Sequence, residues 1–335
     1  MQPPLKIIAL EEHFADPAVR AAAAPTASEL SPHFGLAYDP AGGLPYSPPA
    51  EVLMDLAERR IADMDAGGVT MQVLSCLSAQ QVPADVAPAL IRAANDRAAA
   101  AVRAYPDRFA AFAALPTTAP RAAAAELDRC VSELGFVGTM IFGRTDGEFL
   151  DVPRFDPILA KAAALDVPIF LHPGVPPRAV TESNYLGGLS PVVATRLQTS
   201  AWGWHQETAV HFLHLVLSGV LDRYPGLQFI LGHWGEMIPF YLERIDEALP
   251  QRATKLQRSF GEYFRQNVHI APSGLFNQAQ LQFCLETVGI DRMVFAVDYP
   301  FAGNEGVLPF FAQADLPEQA KRKIAHENAA RLLGL

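Results

Sequence analysis

Apolar positions along the chain follow two rhythms. Eight short runs, most with β-branched or aromatic character, read as buried strands: "LKIIALEEH" (5–13), "TMQVLS" (70–75), "FAAFAALP" (109–116), "FVGTMIFG" (136–143), "VPIFLHP" (167–173), "LQFILGHW" (227–234), "NVHIAP" (267–272) and "RMVFAVDYP" (292–300). Between them, apolar residues recur every three to four positions, the spacing of one helix face. This predicts an amphipathic helix over 50–68, stopped by glycines, and alanine-rich helices over 85–108 and 118–135. Further helices are predicted over 155–166, with Pro157 in the first turn, over the strongly apolar 207–226, and over 279–291 and 317–334.

Strands alternating with helices imply a parallel sheet covered by helices. Eight such repeats point to one closed (β/α)8 TIM barrel, an α/β fold, occupying residues 1–335 as a single domain. No G-x-G-x-x-G turn follows the first run, which disfavours an open dinucleotide-binding sheet. Two long insertions, 14–49 after the first strand and 174–206 after the fifth, are rich in proline, glycine, serine and tyrosine. In a barrel, insertions after strands gather at the C-terminal face, where active sites are built.

The strand ends carry the chemistry. The first run ends in "EEH", and Glu11 and His13, two apart, share one face of a strand. The fifth ends in His172, the sixth in "GHWGE" with His233, and the eighth in Asp298. Taken singly, each has a plain structural reading: a solvated strand edge for the first pair, a satisfied core histidine for His172 or His233, a helix cap for Asp298. Taken together, a barrel brings them to one mouth, as oxygen and nitrogen ligands for a divalent ion such as zinc or manganese. His211 and His214 read as helix–core contacts, and His269 as a residue pointing into the barrel mouth or filling it. His205 is the loop histidine best placed to approach the pocket.

Composition narrows the function. The 335 residues are half hydrophobic, ample for a large core, and the net charge is −10. Without a lysine or arginine cluster, a nucleic acid or an anionic membrane is not the expected partner. Cys76, Cys130 and Cys284 are too scattered and too few for a disulfide framework and read as small buried hydrophobes. No apolar stretch suits a membrane span or a targeting signal, so a soluble cytoplasmic protein is expected. A G-x-S-x-G elbow, a cofactor-binding motif and a lysine in a Schiff-base setting are all missing from the sequence.

The set E-x-H, "LHP", "GHWGE" and "DYP" resembles the amidohydrolase superfamily, in particular its metal-dependent decarboxylase branch. That branch holds the γ-resorcylate (2,6-dihydroxybenzoate), 2,3-dihydroxybenzoate and aminocarboxymuconate semialdehyde decarboxylases. "ALEEHF", "RRIADMDAGGVTMQVLS", "PDRFAAFAALP", "LGFVGTMI", "QETAVHFLHLVLSGVLDRYPGLQFILGHWGE", "FYLERID" and "ENAARLLGL" all read like the resorcylate group.

The resemblance implies that Glu11, His13, His172 and Asp298 ligate one divalent metal, Zn2+ or Mn2+. It implies that His233 lies near metal and substrate with Glu236 orienting it, that Arg244 grips a substrate carboxylate, and that Trp204 walls the pocket. Without the resemblance, Arg244 reads as a helix-surface residue in a salt bridge, and Trp204 as packing. The implied reaction is non-oxidative decarboxylation of a small hydroxyaromatic or related unsaturated acid, with Asp298 delivering the proton. Hydrolysis of a lactone or amide, with Asp298 taking a proton from an acidified water, could use the same residues, and a ligand-binding barrel without catalysis is a third reading. Relatives imply a homo-oligomer, dimer or tetramer. The loops "LHPGVPPRAV" and "GRTDGEFLDVPRF" depart from the resorcylate pattern, so metal binding is better supported than any one aromatic acid.

Overall fold

Seven of the eight expected runs form parallel strands: β1 (Ile8–Phe14), β2 (Met71–Cys76), β3 (Phe109–Ala111), β4 (Thr139–Phe142), β5 (Ile169–His172), β6 (Phe229–Leu231) and β7 (Val268–Ile270). This computed structural model describes residues 5–335 other than 43, 45 and 46. The first four residues, part of the stretch expected to carry no targeting signal, and those three positions of the first insertion lie outside the described residues. β1, β2 and β3 form one sheet and β4 to β7 a second. Backbone bonds join the two: Ala113 N donates to Gly138 O at 2.8 Å and Val137 N to Ala111 O at 3.0 Å. The eighth run is not a full ladder strand, yet it bonds on both sides, Val294 N to Ile270 O at 2.9 Å and Leu10 N to Phe295 O at 3.0 Å. Hydrogen bonding therefore runs around the whole ring, the arrangement of a (β/α)8 barrel.

Alternation sorts the strand residues into two cores. Ile8, Leu10, Val73, Phe170, Ile230, Ala271, Val294 and Ala296 fill the barrel interior. Their neighbours Ile7, Ala9, Leu74, Leu171, Ile270, Phe295 and Val297 pack outward against the helices. β1 breaks the rule once. Its register against β2 slips between Ala9 and Glu12, so an extra residue is accommodated there.

Three expected helices are interrupted: that over 207–226, which divides into Gly203–Leu217 and Val220–Arg223, and those over 50–68 and 317–334. The stretch read as one helix over 50–68 is two, Ala50–Met54 and Glu58–Gly67. Asp55 splits it, its carboxylate accepting from Ala57 N at 2.8 Å and Arg60 N at 3.2 Å. The break turns the fully buried Arg60 under β1, where it donates to His13 O at 2.5 Å and Gln72 Oε1 at 3.1 Å. The C-terminal helix over 317–334 is interrupted by a π-type turn at Lys323–Glu327.

The insertions are also more helical than their composition suggested. Asp16 caps helix Pro17–Leu30, and Pro25 sits inside it. Helices Arg178–Asn184 and Pro191–Gln198 follow in the second insertion. The two insertions bind each other. Gln198 Nε2 donates to Leu30 O at 2.8 Å, and Tyr38 OH meets Thr199 Oγ1 at 2.6 Å. Both spring from C-terminal strand ends, so together they wall the mouth of the barrel.

Candidate metal centre

Four polar groups at the mouth each extend an interior row of core residues by one step of the pleat. Ser75 follows Val73, His172 follows Phe170, Ser273 follows Ala271 and Asp298 follows Ala296. β1 reaches the same point differently. Leu10 faces the interior, and the bulge lets Glu11 face it too, with His13 next on that side and Phe14 back in the outer core.

Glu11, His13, His172 and Asp298 converge, each offering one atom, all within 4.8 Å of one another. His13 Nε2 lies 3.0 Å from Asp298 Oδ1, and His172 Nε2 3.1 Å from Glu11 Oε1. The outer atoms of the same groups are already engaged. His13 Nδ1 meets Ser75 Oγ at 2.9 Å, His172 Nδ1 donates to Pro173 O at 2.7 Å, and Ser273 donates to Glu11 Oε2. That leaves Glu11 Oε1, His13 Nε2 and Asp298 Oδ1 buried with no hydrogen-bond partner. Buried polar atoms that all lack partners and face one point are costly unless a cation fills it, and this donor set suits one. Burial holds His13 below the usual imidazole range, the neutral form a ligand needs.

A second cluster adjoins the first. Glu236, buried, accepts at Oε1 from His233 Nδ1 and at Oε2 from His205 Nδ1, both at 2.8 Å. The two imidazole rings stand 4.5 Å apart. Burial alone would raise the Glu236 carboxyl, but His233 and His205 bring it below its ordinary value. Burial likewise works against charge on His233, yet Glu236, Glu11 and Asp298 together hold it well above the ordinary imidazole value. Burial opposes the Asp298 carboxylate too, and the imidazoles of His13 and His233 beside it override that, lowering the pKa. His233 Nε2 faces the first cluster, 3.8 Å from Glu11 Oε1 and 3.9 Å from Asp298 Oδ2.

The backbone is bent to make this possible. His233, Trp234, Glu236, Met237 and Asp298 all have positive φ, between 46° and 66°. Such conformations cost roughly 1–3 kcal/mol each in a non-glycine residue and persist only where the surroundings impose them. Gly232, just before His233, has no room for a side chain. A Cβ there would stand 2.6 Å from both Glu11 Oε2 and Ser273 Oγ.

The other expected residues fall in different places. Trp204 is half-buried, its Nε1 donating to His205 Nε2 at 3.1 Å, beside the second cluster. Arg244 lies outside both clusters. It projects from helix Ile238–Ala248, its side chain 72% exposed, and pairs with Glu247 at 2.9 Å. His211 is buried and accepts from Leu150 N at 2.9 Å, as a core histidine should, whereas His214, its side chain 52% exposed, pairs with Asp151 and reaches the core only through its ring, 4.8 Å from that of the buried Phe149. The three cysteines are buried and unpaired. His269 does not reach the mouth; it faces the interior from the start of β7. Ser75 and Ser273 carried no sequence signal beyond their position after an apolar run.

Comparison with known proteins gives this geometry its context. The chain is 37% identical over 341 residues to decarboxylase orsB of Emericella nidulans, covering 99% of this chain and 98% of that one. It is 36% identical over 346 residues to the gamma-resorcylate decarboxylase of a Rhizobium species, covering 98% of each. The crystal structure of a dihydroxybenzoic acid decarboxylase from a Polaromonas species, with bound manganese and the inhibitor 2-nitroresorcinol, superposes with a TM-score of 0.83 at 32% identity, over 98% of this chain and 97% of that one. The amidohydrolase family model matches residues 13–335, and the chain belongs to that family.

Proposed function

We propose that this protein is a metal-dependent, non-oxidative decarboxylase, a carboxy-lyase acting on a small benzoic acid with a hydroxyl beside its carboxylate. The observation that carries the reading is the convergence of Glu11, His13, His172 and Asp298, with their inward atoms unpartnered. Relatives and a structural neighbour named as decarboxylases of hydroxybenzoates supply the substrate class.

These four residues would hold one manganese or zinc ion. Such an ion supplies positive charge against which the substrate hydroxyl gives up its proton, leaving the ring electron-rich. Asp298, held as a carboxylate, is the group placed to take that proton and pass it from a carboxyl oxygen to the ring carbon bearing the substrate carboxylate. The ring-to-carboxylate bond then breaks, its electron pair returns to the ring, and CO2 departs. His233 presents its Nε2 N–H to the substrate, and Glu236 fixes that orientation through Nδ1. Trp204 forms an aromatic wall beside His205.

Arg244 fits the role of carboxylate anchor only if its helix faces another subunit. Phe240 and Tyr241 on the same helix are 74% and 54% exposed, apolar surface that a second copy would cover. We therefore place Arg244 at a homo-oligomer interface of a dimer or tetramer, reaching into the neighbouring mouth. The whole of residues 1–335 acts as one amidohydrolase-type domain, and three buried free cysteines suit the reducing cytoplasm. No helix among the described residues is long and apolar enough to cross a membrane.

The test is reversal. Loaded with manganese or zinc and given a dihydroxybenzene in high bicarbonate, a decarboxylase forms the hydroxybenzoate. An enzyme that instead cleaves a lactone or amide and carboxylates nothing would overturn the proposal.

A further inference from the structure

The end of the barrel away from the metal cluster also holds an organised cavity. The segments 166–168, 226–228 and 291–292, which lead into β5, β6 and the eighth run, surround about 630 Å³ together with the terminal helix at Arg331 and Leu332. Because these segments precede their strands, the cavity opens at the N-terminal face.

Its polar lining is unbalanced. Arg292 Nη1 donates to Gln228 Oε1 at 3.0 Å, and Arg331 Nη2 to Asn328 Oδ1 at 2.9 Å and Asp291 O at 3.3 Å. All three acceptors are neutral, and among the described residues neither guanidinium has a carboxylate partner. The Asp291 side chain is taken by Lys323 at 2.7 Å. Asp166 and Asp291 are the lining carboxylates, and Asp291, which feels both arginines, must also serve Lys323. At the inner end stands His269, 5% exposed, whose Nδ1 has no hydrogen-bond partner. Burial first, then Arg292 and Arg331, push its imidazole down to about 3, so the ring is neutral. Burial and Arg331 likewise lower Arg292, and Asp291 opposes them only in part. Two guanidinium groups close enough to disfavour each other, beside a buried ring with an unused nitrogen, are a configuration that an anion relieves.

We infer that this cavity binds a small molecule through an oxyanion group, carboxylate or phosphate, gripped by Arg292 and Arg331 and hydrogen-bonded by His269. Guanidinium forks match both oxyanions in bidentate geometry. Val167, Leu227 and Leu332 leave apolar wall for the remainder of the ligand. The site is separate from the metal cluster and stands whether or not the decarboxylase reading does.

Calorimetric titration of the metal-loaded full chain tests it, with inorganic phosphate and benzoate as separate probes. Wild type is compared with Arg292→Gln, Arg331→Gln and the metal-site variant Glu11→Gln. At least one probe should bind saturably to wild type and to Glu11→Gln, and at least tenfold more weakly to both arginine variants. Binding of phosphate alone identifies a phosphorylated ligand, and of benzoate alone a carboxylate. Arg331 is exposed on the terminal helix, so Arg331→Gln carries the test if Arg292→Gln does not fold. No saturable binding of either probe, binding unchanged in a folded arginine variant, or binding lost in Glu11→Gln would overturn the inference.

Discussion

His13 Nε2 stands 3.0 Å from Asp298 Oδ1, joining the first strand to the eighth run at the mouth of the barrel. Asp298 is thus both a wall of the cation cradle and the group proposed to move the proton. Replacing it by asparagine keeps the shape and removes the proton carrier. Asp298→Asn should lower kcat by roughly 10²–10⁴-fold. Steady-state turnover of a hydroxybenzoate checks this, and full activity would remove Asp298 from its role.

Metal dependence follows from the unpartnered atoms around the cradle. Chelator treatment should abolish turnover, and manganese or zinc should restore it. His172→Ala and Glu11→Gln should each carry much less than one metal ion per chain by elemental analysis. Added metal should also raise the Tm of wild type and not of these variants, since only the intact cradle binds it. Equal metal content in all three proteins would refute the ligand assignment.

Glu236 touches none of the four cation ligands directly and acts through two imidazoles. Glu236→Gln should cost roughly 10–100-fold in activity, the range for groups that orient a functional histidine. Its KM should change little, and its metal content should stay near that of wild type. A variant that instead loses its metal would show that Glu236 supports the cradle.

The exposed Arg244 lends itself to complementation. Arg244→Ala and Asp298→Asn should each be nearly inactive alone. If Arg244 serves the neighbouring subunit, refolded or co-expressed mixtures should regain activity, because one mixed site holds Asp298 from one chain and Arg244 from the other. Mixtures no more active than the separate variants would place Arg244 elsewhere.

Acid sensitivity should trace in part to the equally depressed His269 and in part to His211. Burial, then the charges of Arg144 and His214, depress its folded pKa to about 3. The unfolded chain binds that proton near pH 6.5, so stability is full above that pH and falls as pH drops toward the folded value. At pH 5 the loss from this residue is ~2 kcal/mol relative to pH 8. His211→Gln can still accept from Leu150 N and should flatten the decline in denaturant-melt stability between these pH values. An unchanged slope would show that other groups govern it.

Much of this was legible in the residues because strand ends announce themselves. An apolar run that stops in His172 or Asp298 places that side chain at the C-terminal rim of any parallel barrel. Three features were not legible. Ser75 and Ser273 resemble any serine at the end of a run, and only closure of the ring brings them to His13 and Glu11. Gly232 looks like a turn residue, whereas the approach of Glu11 and Ser273 is what excludes a side chain there. Helix Pro17–Leu30 was hidden because Pro25 reads as a breaker, though Asp16 and Pro17 spell a helix start. Arg244 illustrates the converse: a motif names a residue, but a single chain does not supply the surroundings that would give it work.

The slip in the first strand has an evolutionary consequence. Up to Leu10 the strand is spaced for filling; from Glu11 onward it is spaced for holding a charge. The irregularity between Ala9 and Glu12 uncouples the two, so mutations that enlarge or shrink the floor need not rotate the ligands above it. Strict alternation onward from Leu10, with no slip, would turn Glu11 and His13 out toward the helices, leaving the barrel filled and its chemistry gone.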